Sequence, residues 1–416
     1  MKSNRYFIIA DDITGSNDSG VQLKRRGIDT IVTLDSTSVG VQKISYVLNT
    51  ESRSLKGEDA FNLVNRSVSK IKLHEFDHVI KKVDSTLRGS IAHEISAVDE
   101  VFSPELIVFM PALPDLGRTT INGQQLLQGT PITKTEIAND PKTPVTQDNL
   151  QKLLEEVYNE PVNHIDLASI EDGKFSLSGG RIFSFDAKTN SHMKTVIDVS
   201  IKTGKRVLWV GTAGIVDNLL EIEDPQLPVV ALIASLSETT RRQVHYAQEQ
   251  GTEVVVVPTK ELIQKERNPK DVTQQIIVDK VIEIIQSRRD VIVISDASYD
   301  RLALNKLIEA GITDNRTIAE ESRVVQKQMG EIISKILERS CVAGVFLSGG
   351  DTAMGFLNAI DATGLFIVSE VLIGIPLMQI VGGKHQNMKV ITKAGAFGKD
   401  DALSFCLRKL KEKIKI

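Results

Sequence analysis

The sequence predicts an α/β protein of two domains, each a mostly parallel sheet covered by helices. Three observations lead to this prediction. The 416 residues exceed what one ordinary hydrophobic core holds. Short apolar runs alternate with amphipathic segments, which is typical of strand–helix–strand units. The acidic segment Glu221–Pro228 carries two prolines and interrupts this alternation, so we expect a linker there and domains at 1–224 and 225–416.

In the first domain, apolar runs that end at polar or turn-forming residues predict strands, and the amphipathic stretches between them predict helices. A helix is also expected to restart directly after the first strand. The predicted strands are Tyr6–Ala10, Thr30–Leu34, Ser45–Asn49, His78–Val83, Leu106–Met110, Arg181–Phe185 and Arg206–Val210, and the other helices are Asp59–Lys72, Ala92–Phe102 and Thr195–Thr203.

The second domain begins the alternation afresh, again with apolar strands followed by amphipathic helices. The predicted strands are Val229–Ala234, Glu253–Val257, Val291–Ser295 and Ala343–Leu347. The predicted helices are Thr240–Gln250, Val272–Ser287, Thr317–Ser340 (one helix or two), Thr352–Ala359 and Ala402–Lys413.

Composition narrows the class of protein. Apolar residues make up 41% of the chain and charged residues 25%, which is usual for a globular protein. The net charge of −4 gives no reason to expect nucleic-acid or membrane binding. Cys341 and Cys406 lie in apolar sequence and predict buried free thiols of a reducing compartment. Asp11 and Asp12 interrupt the first apolar run, so no signal peptide is expected and the predicted location is cytoplasmic.

Three polar clusters follow predicted strands of the first domain: Asp11–Ser16, Asn49–Arg53 and Lys82–Gly89. The carboxyl ends of parallel strands share one edge of a sheet, so the clusters are expected to converge. Their carboxylates, hydroxyls, lysine and arginines suit a small polyhydroxy acid, and a carboxylate on a substrate hydroxyl would act as general base. The alternative is that Asp11 and Asp12 cap a helix while Arg53 and Lys82 form surface ion pairs.

The second domain carries features typical of phosphate binding. Ser235, Ser237 and Thr240 follow its first strand, Gly349–Thr352 follows a later one, and Ala394–Gly398 is glycine-rich. Glycines allow backbone N–H groups to approach an anion, and a cation held by Asp351 would bridge phosphate oxygens. Neither a Walker A sequence nor a dinucleotide-binding Gly-x-Gly-x-x-Gly is present. Each cluster taken alone is also compatible with a plain turn.

A further stretch, Met110–Gly123, follows an apolar strand and is rich in turn formers. It predicts either a segment that closes over the substrate or a simple connection.

At these residues the chain resembles the four-carbon acid sugar kinase family over nearly its whole length. The resemblance lies in the order of many motifs and not in any one of them. The motifs are Ala10–Asp18, Asn49–Arg53, Lys81–Gly89, Gly117–Thr120, Asp140–Pro144, Ser237–Gln243, Ser348–Thr352 and Thr392–Gly398. Two positions depart from the family pattern, because Ala234 and Ala396 stand where glycine is usual.

The resemblance implies a sugar-acid-binding domain, a nucleotide-binding domain, and ATP-dependent phosphorylation of the 4-hydroxyl of a four-carbon aldonate. It implies that Asp12, Arg53, Lys82, Val83, Asp84 and Ser85 hold the acid. It further implies that Ser237, Gly349, Gly350, Asp351, Thr352 and Gly395 hold ATP. The expected cofactors are ATP and Mg²⁺, with the metal ligands unassigned, and a homodimer is left open.

The mechanism expected is in-line transfer in the cleft between the domains. The acid's carboxylate pairs with Arg53 or Lys82, and Asp12 or Asp84 accepts the proton of the 4-hydroxyl. The resemblance at Glu136–Asp140 and at Ser237–Glu238 favours D-threonate, with D-erythronate or an oxo-tetronate as alternatives. A sugar-acid-binding protein without catalysis and a hydroxy-acid dehydrogenase are the other classes considered, and the missing dinucleotide fingerprint disfavours the second.

Overall fold

The computed structural model describes residues 4–40, 42–260, 262, 273–303 and 318–413. The chain divides into two compact units. The first reaches Pro225 and includes Lys413, and the second runs from Gln226 to Glu412.

The first unit is built from strands that alternate with helices. Its strands are β1 (Tyr6–Ala10), β2 (Thr30–Thr33), β3 (Ser45–Asn49), β4 (His78–Lys82), β5 (Leu106–Met110), β6 (Arg118–Ile121), β7 (Gln124–Leu127), β8 (Thr130–Pro131), β9 (Val162–Ile165), β10 (Ile182–Phe185) and β11 (Val207–Gly211). Its helices are α1 (Ile13–Arg25), α2 (Gly57–Val68), α3 (Ile91–Phe102), α4 (Leu150–Glu155), α5 (Leu167–Glu171), α6 (Asn190–Lys202) and α7 (Ala213–Glu223).

Within the described residues of the first unit, eight strands form one sheet in the order β2-β3-β1-β4-β11-β5-β10-β9. Every neighbouring pair in it is parallel. A parallel sheet has helices on both faces, so its strands are apolar on both sides. All residues of β1, β3, β5, β10 and β11 are accordingly buried.

Helices cover the two faces of this sheet around separate apolar clusters. Residues of α2 and α3 pack in one cluster, and residues of α1, α6 and α7 pack in the other. The helix after β1 therefore lies on the opposite face from the helices after its neighbours β3 and β4. This reversal is a topological switch point, and it leaves a crevice outside the carboxyl end of β1.

The second unit has a smaller sheet that is also mostly parallel. Its strands are β12 (Val229–Ile233), β13 (Glu253–Val257), β14 (Val291–Ser295), β15 (Gly344–Ser348), β16 (Gly364–Leu372), β17 (Ile375–Val381) and β18 (Lys389–Lys393). Its helices, which we number onward from the first unit, are α8 (Glu238–Glu249), α9 (Thr273–Gln286), α10 (Asp296–Tyr299), α11 (Ile318–Arg339), α12 (Gly350–Ala359) and α13 (Ala402–Lys411).

In the part of this unit that the structure describes, the strand order is β13-β14-β12-β15-β18-β17-β16. Neighbouring strands in the run β13-β14-β12-β15-β18 are parallel, and β17 and β16 are added antiparallel at one edge. The predicted fold class, two α/β domains with mostly parallel sheets, is confirmed.

Several local expectations differ from the structure. The first residues of the predicted linker belong to α7, so the helix ends at Glu223 and only the residues after it connect the units. The strands β16, β17 and β18 and the small antiparallel sheet β6-β7-β8 were not predicted. Cys341 is exposed, although both cysteines were expected to be buried. The predicted helix starts at Val272 and Thr317 lie outside the described residues.

Candidate active site

The three polar clusters of the first unit follow neighbouring strands that end in one row. Ala10 at the end of β1 pairs with Asn49 of β3 on one side and with Lys82 of β4 on the other. The backbone also links the clusters, because Thr50 N donates to Ala10 O at 2.9 Å and Arg53 N donates to Asp11 O at 3.2 Å. The convergence expected from strand ends is therefore present, at the switch point of the sheet.

Asp12 caps α1 and also pairs with an arginine. Its Oδ1 accepts from Gly15 N at 2.8 Å, and its Oδ2 accepts from Arg53 Nη1 at 2.6 Å. Arg53 binds Asp11 in a bidentate manner, with Nε to Oδ2 at 2.6 Å and Nη2 to Oδ1 at 3.0 Å. Capping and ion pairing, which the sequence offered as the alternative to a site, thus occur together with convergence. The pair is not a surface one, because the Arg53 side chain is only 18% exposed.

Lys82 brings a buried cation to the same place. Lys82 is only 5% exposed, and its Nζ donates to Val83 O at 3.0 Å. Burial lowers the pKa of Lys82, and the charges of Asp11 and Asp84 oppose this shift. A Cβ on Gly15 would lie 3.0 Å from Lys82 Nζ and 2.8 Å from Asp12 Oδ1. Glycine at position 15 therefore leaves room for both charged groups.

Asp84 is held by the loop that follows β4. Arg88 donates to it from Nε at 2.9 Å and from Nη2 at 3.1 Å, and the Thr86 hydroxyl donates to Oδ2. Burial would raise the pKa of the Asp84 carboxyl, but these hydrogen bonds and the charge of Arg53 outweigh it. The pKa lies well below its usual range. Both oxygens of the Asp84 carboxylate thus accept hydrogen bonds from Arg88.

The remaining predicted acid-binding residues are Val83 and Ser85, which form hydrogen bonds through their backbone groups. Val83 is buried, its N–H donates to Gly211 O at 2.8 Å, and its carbonyl receives Lys82 Nζ. Ser85 is half-buried, and its carbonyl accepts from Gln125 Nε2 at 2.8 Å. Gln125 lies on β7, which forms a hairpin with β6. This hairpin, whose first strand belongs to the predicted stretch Met110–Gly123, therefore contacts the Lys82–Gly89 cluster.

The loops after β3 and β4 each contain a residue with a left-handed backbone conformation. Glu51 and Leu87 have φ angles of 51° and 59°, in the left-handed region that non-glycine residues seldom adopt. Such outliers persist where the surrounding structure enforces them, which is frequent at ligand sites. Arg88, which the sequence analysis did not single out, joins the cluster through Asp84 and contacts Asp140 Oδ2 from Nη1 at 3.4 Å.

The second unit repeats this arrangement with three other neighbouring strands. Ile233 of β12, Ser348 of β15 and Lys393 of β18 stand in one row at the strand ends. The segments that follow them contain Ser235 and Ser237, Gly349–Thr352, and Ala394–Gly398. All the predicted ATP-binding residues of this unit are therefore brought to one edge of the sheet.

Two helix N-termini point to this edge without side-chain caps. Ser237 precedes α8 and Gly349 precedes α12, and neither makes a side-chain cap hydrogen bond. Uncapped helical N–H groups are suited to anions. Gly349 has a φ angle of 103°, and a Cβ on Gly395 would clash with the Ser235 hydroxyl. Glycine therefore suits the left-handed backbone at position 349, and at position 395 it lets the two segments approach each other closely.

Lys393, which was quoted in a motif but given no role, ties the third segment together. Its buried Nζ donates to the carbonyls of Ala394 at 3.0 Å, Gly395 at 2.9 Å and Phe397 at 3.3 Å. Burial lowers its pKa from 10.5 to about 8. A lysine after an apolar run gives no hint of this arrangement in sequence, because its partners are backbone carbonyls of the turn.

Among the described residues, no group of three or more His, Cys, Asp or Glu side chains is placed to hold a metal ion. Asp351 is an exposed carboxylate in the first turn of α12, beside the buried Thr352. Mg²⁺ in kinases is bound by one or two carboxylates together with substrate phosphates, so this donor set fits a metal that arrives with the nucleotide. No helix in the described ranges has the length and apolar character needed to cross a bilayer.

One α/β unit with converging charged side chains at a switch point and a second with uncapped, glycine-lined helix N-termini are the arrangement expected of an enzyme that acts on a small acid and a phosphorylated substrate. Comparison with known proteins identifies the family. A model of a sugar-binding N-terminal domain matches residues 6–219, and a model of a nucleotide-binding C-terminal domain matches residues 230–403.

The chain is 32% identical to a D-threonate kinase of Salmonella typhimurium, over 98% of this chain and 99% of the relative. It is 27% identical to a D-erythronate kinase of Heliobacterium modesticaldum, over 99% and 98%. It also matches a crystal structure of a domain of unknown function from Bordetella bronchiseptica, a domain-swapped dimer with bound citrate. That match has 25% identity, 99% and 100% coverage and a TM-score of 0.63. The chain belongs to the four-carbon acid sugar kinase family.

Proposed function

We propose that the protein is an ATP-dependent kinase that phosphorylates the 4-hydroxyl of a four-carbon sugar acid, with D-threonate as its substrate. The observation that carries the proposal is the similarity to a named D-threonate kinase over 98% of this chain, through both units. D-Erythronate and an oxo-tetronate are the alternative acids. A change at one hydroxyl is discriminated by the placement of a few hydrogen bonds, so the family alone does not select among them.

The acid is bound by the first unit. Arg53 uses three N–H bonds on Asp11 and Asp12, which leaves two of its five for a substrate carboxylate. Lys82 supplies a second cation, which burial keeps poorly hydrated. Val83, Asp84 and Ser85 shape the floor of the site through the backbone of their loop. The acid's carboxylate therefore lies against Arg53 or Lys82.

Asp12 is the group that accepts the proton of the 4-hydroxyl. A carboxylate at the N-terminus of α1 with partial exposure can reach a substrate hydroxyl. Asp84 is less suited, because hydrogen bonds from Arg88 and Thr86 and the charge of Arg53 hold its pKa well below the usual range and make it the weaker base. The hydroxyl oxygen attacks the γ-phosphorus of ATP, the bond from that phosphorus to the β-phosphate oxygen breaks, and ADP leaves.

The nucleotide is bound by the second unit, with its phosphates against the N-termini of α8 and α12 and against Gly395. Ser237, Gly349, Gly350 and Thr352 offer backbone and hydroxyl donors there. Asp351 would hold Mg²⁺, which neutralises phosphate charge when it is bound. The position of the reacting centre in the cleft between the domains stays a prediction from the sequence.

Release of ADP, followed with magnesium and ATP, tests the proposal. The acids compared are D-threonate, D-erythronate, L-threonate and an oxo-tetronate, with a blank that lacks acid. Turnover on D-threonate at least tenfold above the other acids is expected. Preference for another acid would change the substrate. Saturable acid binding without ADP release would replace the kinase by a sugar-acid-binding protein.

We also propose that the protein forms a homodimer, because the similar Bordetella bronchiseptica protein is a domain-swapped dimer. Light scattering on the purified protein should give twice the mass of one chain. A monomer across the micromolar range would contradict this.

A further inference from the structure

A chain of buried polar groups lies beneath the acid site of the first unit. At its centre, Lys81 Nζ pairs with Glu94 Oε2 at 2.7 Å, and the two side chains are 0% and 2% exposed. Lys81 lies on β4 and Glu94 on α3. Neither residue was assigned a role by the sequence analysis, although Lys81 stands in one of its motifs.

The series of hydrogen bonds continues from this pair toward all three polar clusters. Ser52 Oγ donates to Glu94 Oε2 at 2.9 Å and lies 2.8 Å from Thr50 Oγ1. Thr50 Oγ1 donates to Ala10 O at 2.9 Å. On the other side, Lys81 Nζ donates to Lys82 O at 2.9 Å. The ends of β1, β3 and β4 are thus bonded to one carboxylate on α3 and to its partner.

Each end of this chain is adjacent to a residue of the site. Ala10 precedes Asp11 and Asp12, Ser52 precedes Arg53, and Lys82 is itself a site residue. A shift of Glu94 would therefore move the backbone that carries Asp12, Arg53 and Lys82. The Glu94 side chain is itself too buried to touch a substrate.

Stability alone is a weak reason for such a pair. Burying two charges costs several kcal/mol of desolvation, and apolar residues of similar volume are often as stable or more so. Burial raises the pKa of Glu94, and Lys81 opposes this. What an apolar pair could not supply is the set of directed hydrogen bonds to Ser52 and to Lys82 O.

We propose that Glu94 is a positioning residue for the reaction. Through Lys81, Ser52 and Thr50 it fixes the strand ends that carry Asp12, Arg53 and Lys82, and so it sets the affinity for the sugar acid. This inference rests on the proposed function of the first unit.

The test separates positioning from stability. Lys81→Met/Glu94→Leu replaces the pair by apolar side chains of similar volume, which is expected to preserve folding. Ser52→Ala is a milder variant that removes one bond to Glu94. The matched control is Asp99→Asn, because Asp99 is also a carboxylate on α3 and pairs with Arg181 at 2.7 and 2.8 Å, away from the site. The KM for acid, the KM for ATP, kcat and the melting temperature are measured for each.

We expect the double variant to lose about 100-fold in kcat/KM for the acid, which is the scale of a small misplacement of binding groups. Its KM for ATP should stay within about twofold of the unaltered protein. Ser52→Ala should lose about 10-fold in kcat/KM for the acid. Asp99→Asn should change the melting temperature without changing either KM.

Two results would overturn the inference while the proposed function stands. One is a folded double variant with unchanged kcat/KM for the acid. The other is a loss that Asp99→Asn reproduces in full. Failure of the proposed function is recognised separately, in the unaltered protein, by the absence of ADP release with every acid. Acid binding by calorimetry then takes the place of KM, and absence of acid binding as well would overturn both proposals.

Discussion

Arg53 shows how one residue makes a site of like charges possible. Asp11, Asp12 and Asp84 converge within reach of its guanidinium, at 2.6 to 3.9 Å. Carboxylates that share a site raise each other's pKa unless cations compensate. The positive charge of Arg53 therefore offsets the repulsion among these three carboxylates.

The first prediction concerns Asp12→Asn. Asparagine caps a helix about as well as aspartate does, so α1 should keep its N-terminus. The amide is not a base, and we expect kcat to fall by about 10² to 10⁴. The affinity for ATP should not change, because Asp12 lies in the sugar-binding unit. Turnover by ADP release and ATP binding by calorimetry provide the check.

Asp84→Asn is the control for this experiment. It breaks a partly buried pair with Arg88 and should lower the free energy of unfolding by about 3 kcal/mol. Near-normal turnover of Asp12→Asn together with loss of turnover in a folded Asp84→Asn would reverse the roles assigned to the two acids.

The sequence predicts which residues converge but not how they pair. Convergence of Asp12, Arg53 and Lys82 follows from the rule that parallel strands end at one edge. The bidentate bond from Arg53 to Asp11 depends on side-chain geometry that spacing does not carry. The role of Glu94 is still harder to predict. It is one polar residue of α3, and its partner Lys81 lies on the preceding strand β4, so the sequence does not show that the two side chains meet.

At the scale of elements, the helix that follows the first strand begins differently in the two units. In the first unit Asp12 caps α1, and its carboxylate occupies the place of an anion. In the second unit α8 and α12 are left without side-chain caps. An uncapped N-terminus costs stability unless a ligand or water satisfies its N–H groups. The N-termini of α2 and α3 in the first unit also lack side-chain caps, so the assignment of the phosphates to the second unit rests on its match to a nucleotide-binding domain model.

Gly349 and Gly350 allow a matched test of the α12 N-terminus. Gly349 has a φ angle of 103°, which strains any other residue, whereas a Cβ on Gly350 would meet no atom within 4 Å. We expect Gly349→Ala to raise the KM for ATP by at least about tenfold, because strain displaces the phosphate-binding backbone. Gly350→Ala should have the smaller effect. Equal effects on the KM for ATP would contradict this account.

Lys393 should make nucleotide binding depend on pH. With a pKa of about 8, it loses a proton between pH 7 and pH 9 and gives up a donor to the Ala394–Gly398 carbonyls. We expect the KM for ATP to rise about 5-fold over that range. In Lys393→Met the KM should be high and independent of pH. A flat profile in the unaltered protein would contradict the role of Lys393.

Unfolding should not confound that profile. The pKa of Lys393 in the folded protein lies below its ordinary value of 10.5, so the folded state binds fewer protons than the unfolded state between about pH 8 and pH 10.5. The contribution of Lys393 to the free energy of unfolding therefore rises with pH across this window. Loss of ATP affinity above pH 8 would reflect the loosened segment and not a less stable fold.

Among elements, the strongly apolar parallel strands were predictable, whereas β18 was missed although it is parallel and interior to its sheet, because Lys389, Thr392 and Lys393 interrupt its apolar pattern. The apolar runs that became β1, β5 and β15 stand out because they are buried on both faces. The hairpin of β16 and β17 has mixed exposure and contains Pro376, which weakens the strand pattern. Helix α7 was missed because its sequence is apolar on nearly every side, so it lacks the period of an amphipathic helix.

On the scale of the whole molecule, each unit has its own hydrophobic cores. Two apolar clusters lie on the faces of the first sheet, and two others lie on the faces of the second. The sequence predicted this division from chain length and from the prolines after α7. Separate cores with separate ligands imply that each ligand stabilises one unit directly.

The single tryptophan of the chain makes this implication measurable. Trp209 is buried in β11 of the first unit, so its fluorescence follows unfolding of that unit. A ligand at one hundred times its dissociation constant stabilises the state that binds it by about 2.7 kcal/mol. We therefore expect D-threonate to raise the melting temperature reported by Trp209. A non-hydrolysable ATP analogue should raise a second calorimetric transition and leave the tryptophan transition in place. An equal shift of the Trp209 transition by both ligands would show that the two cores unfold as one cooperative unit.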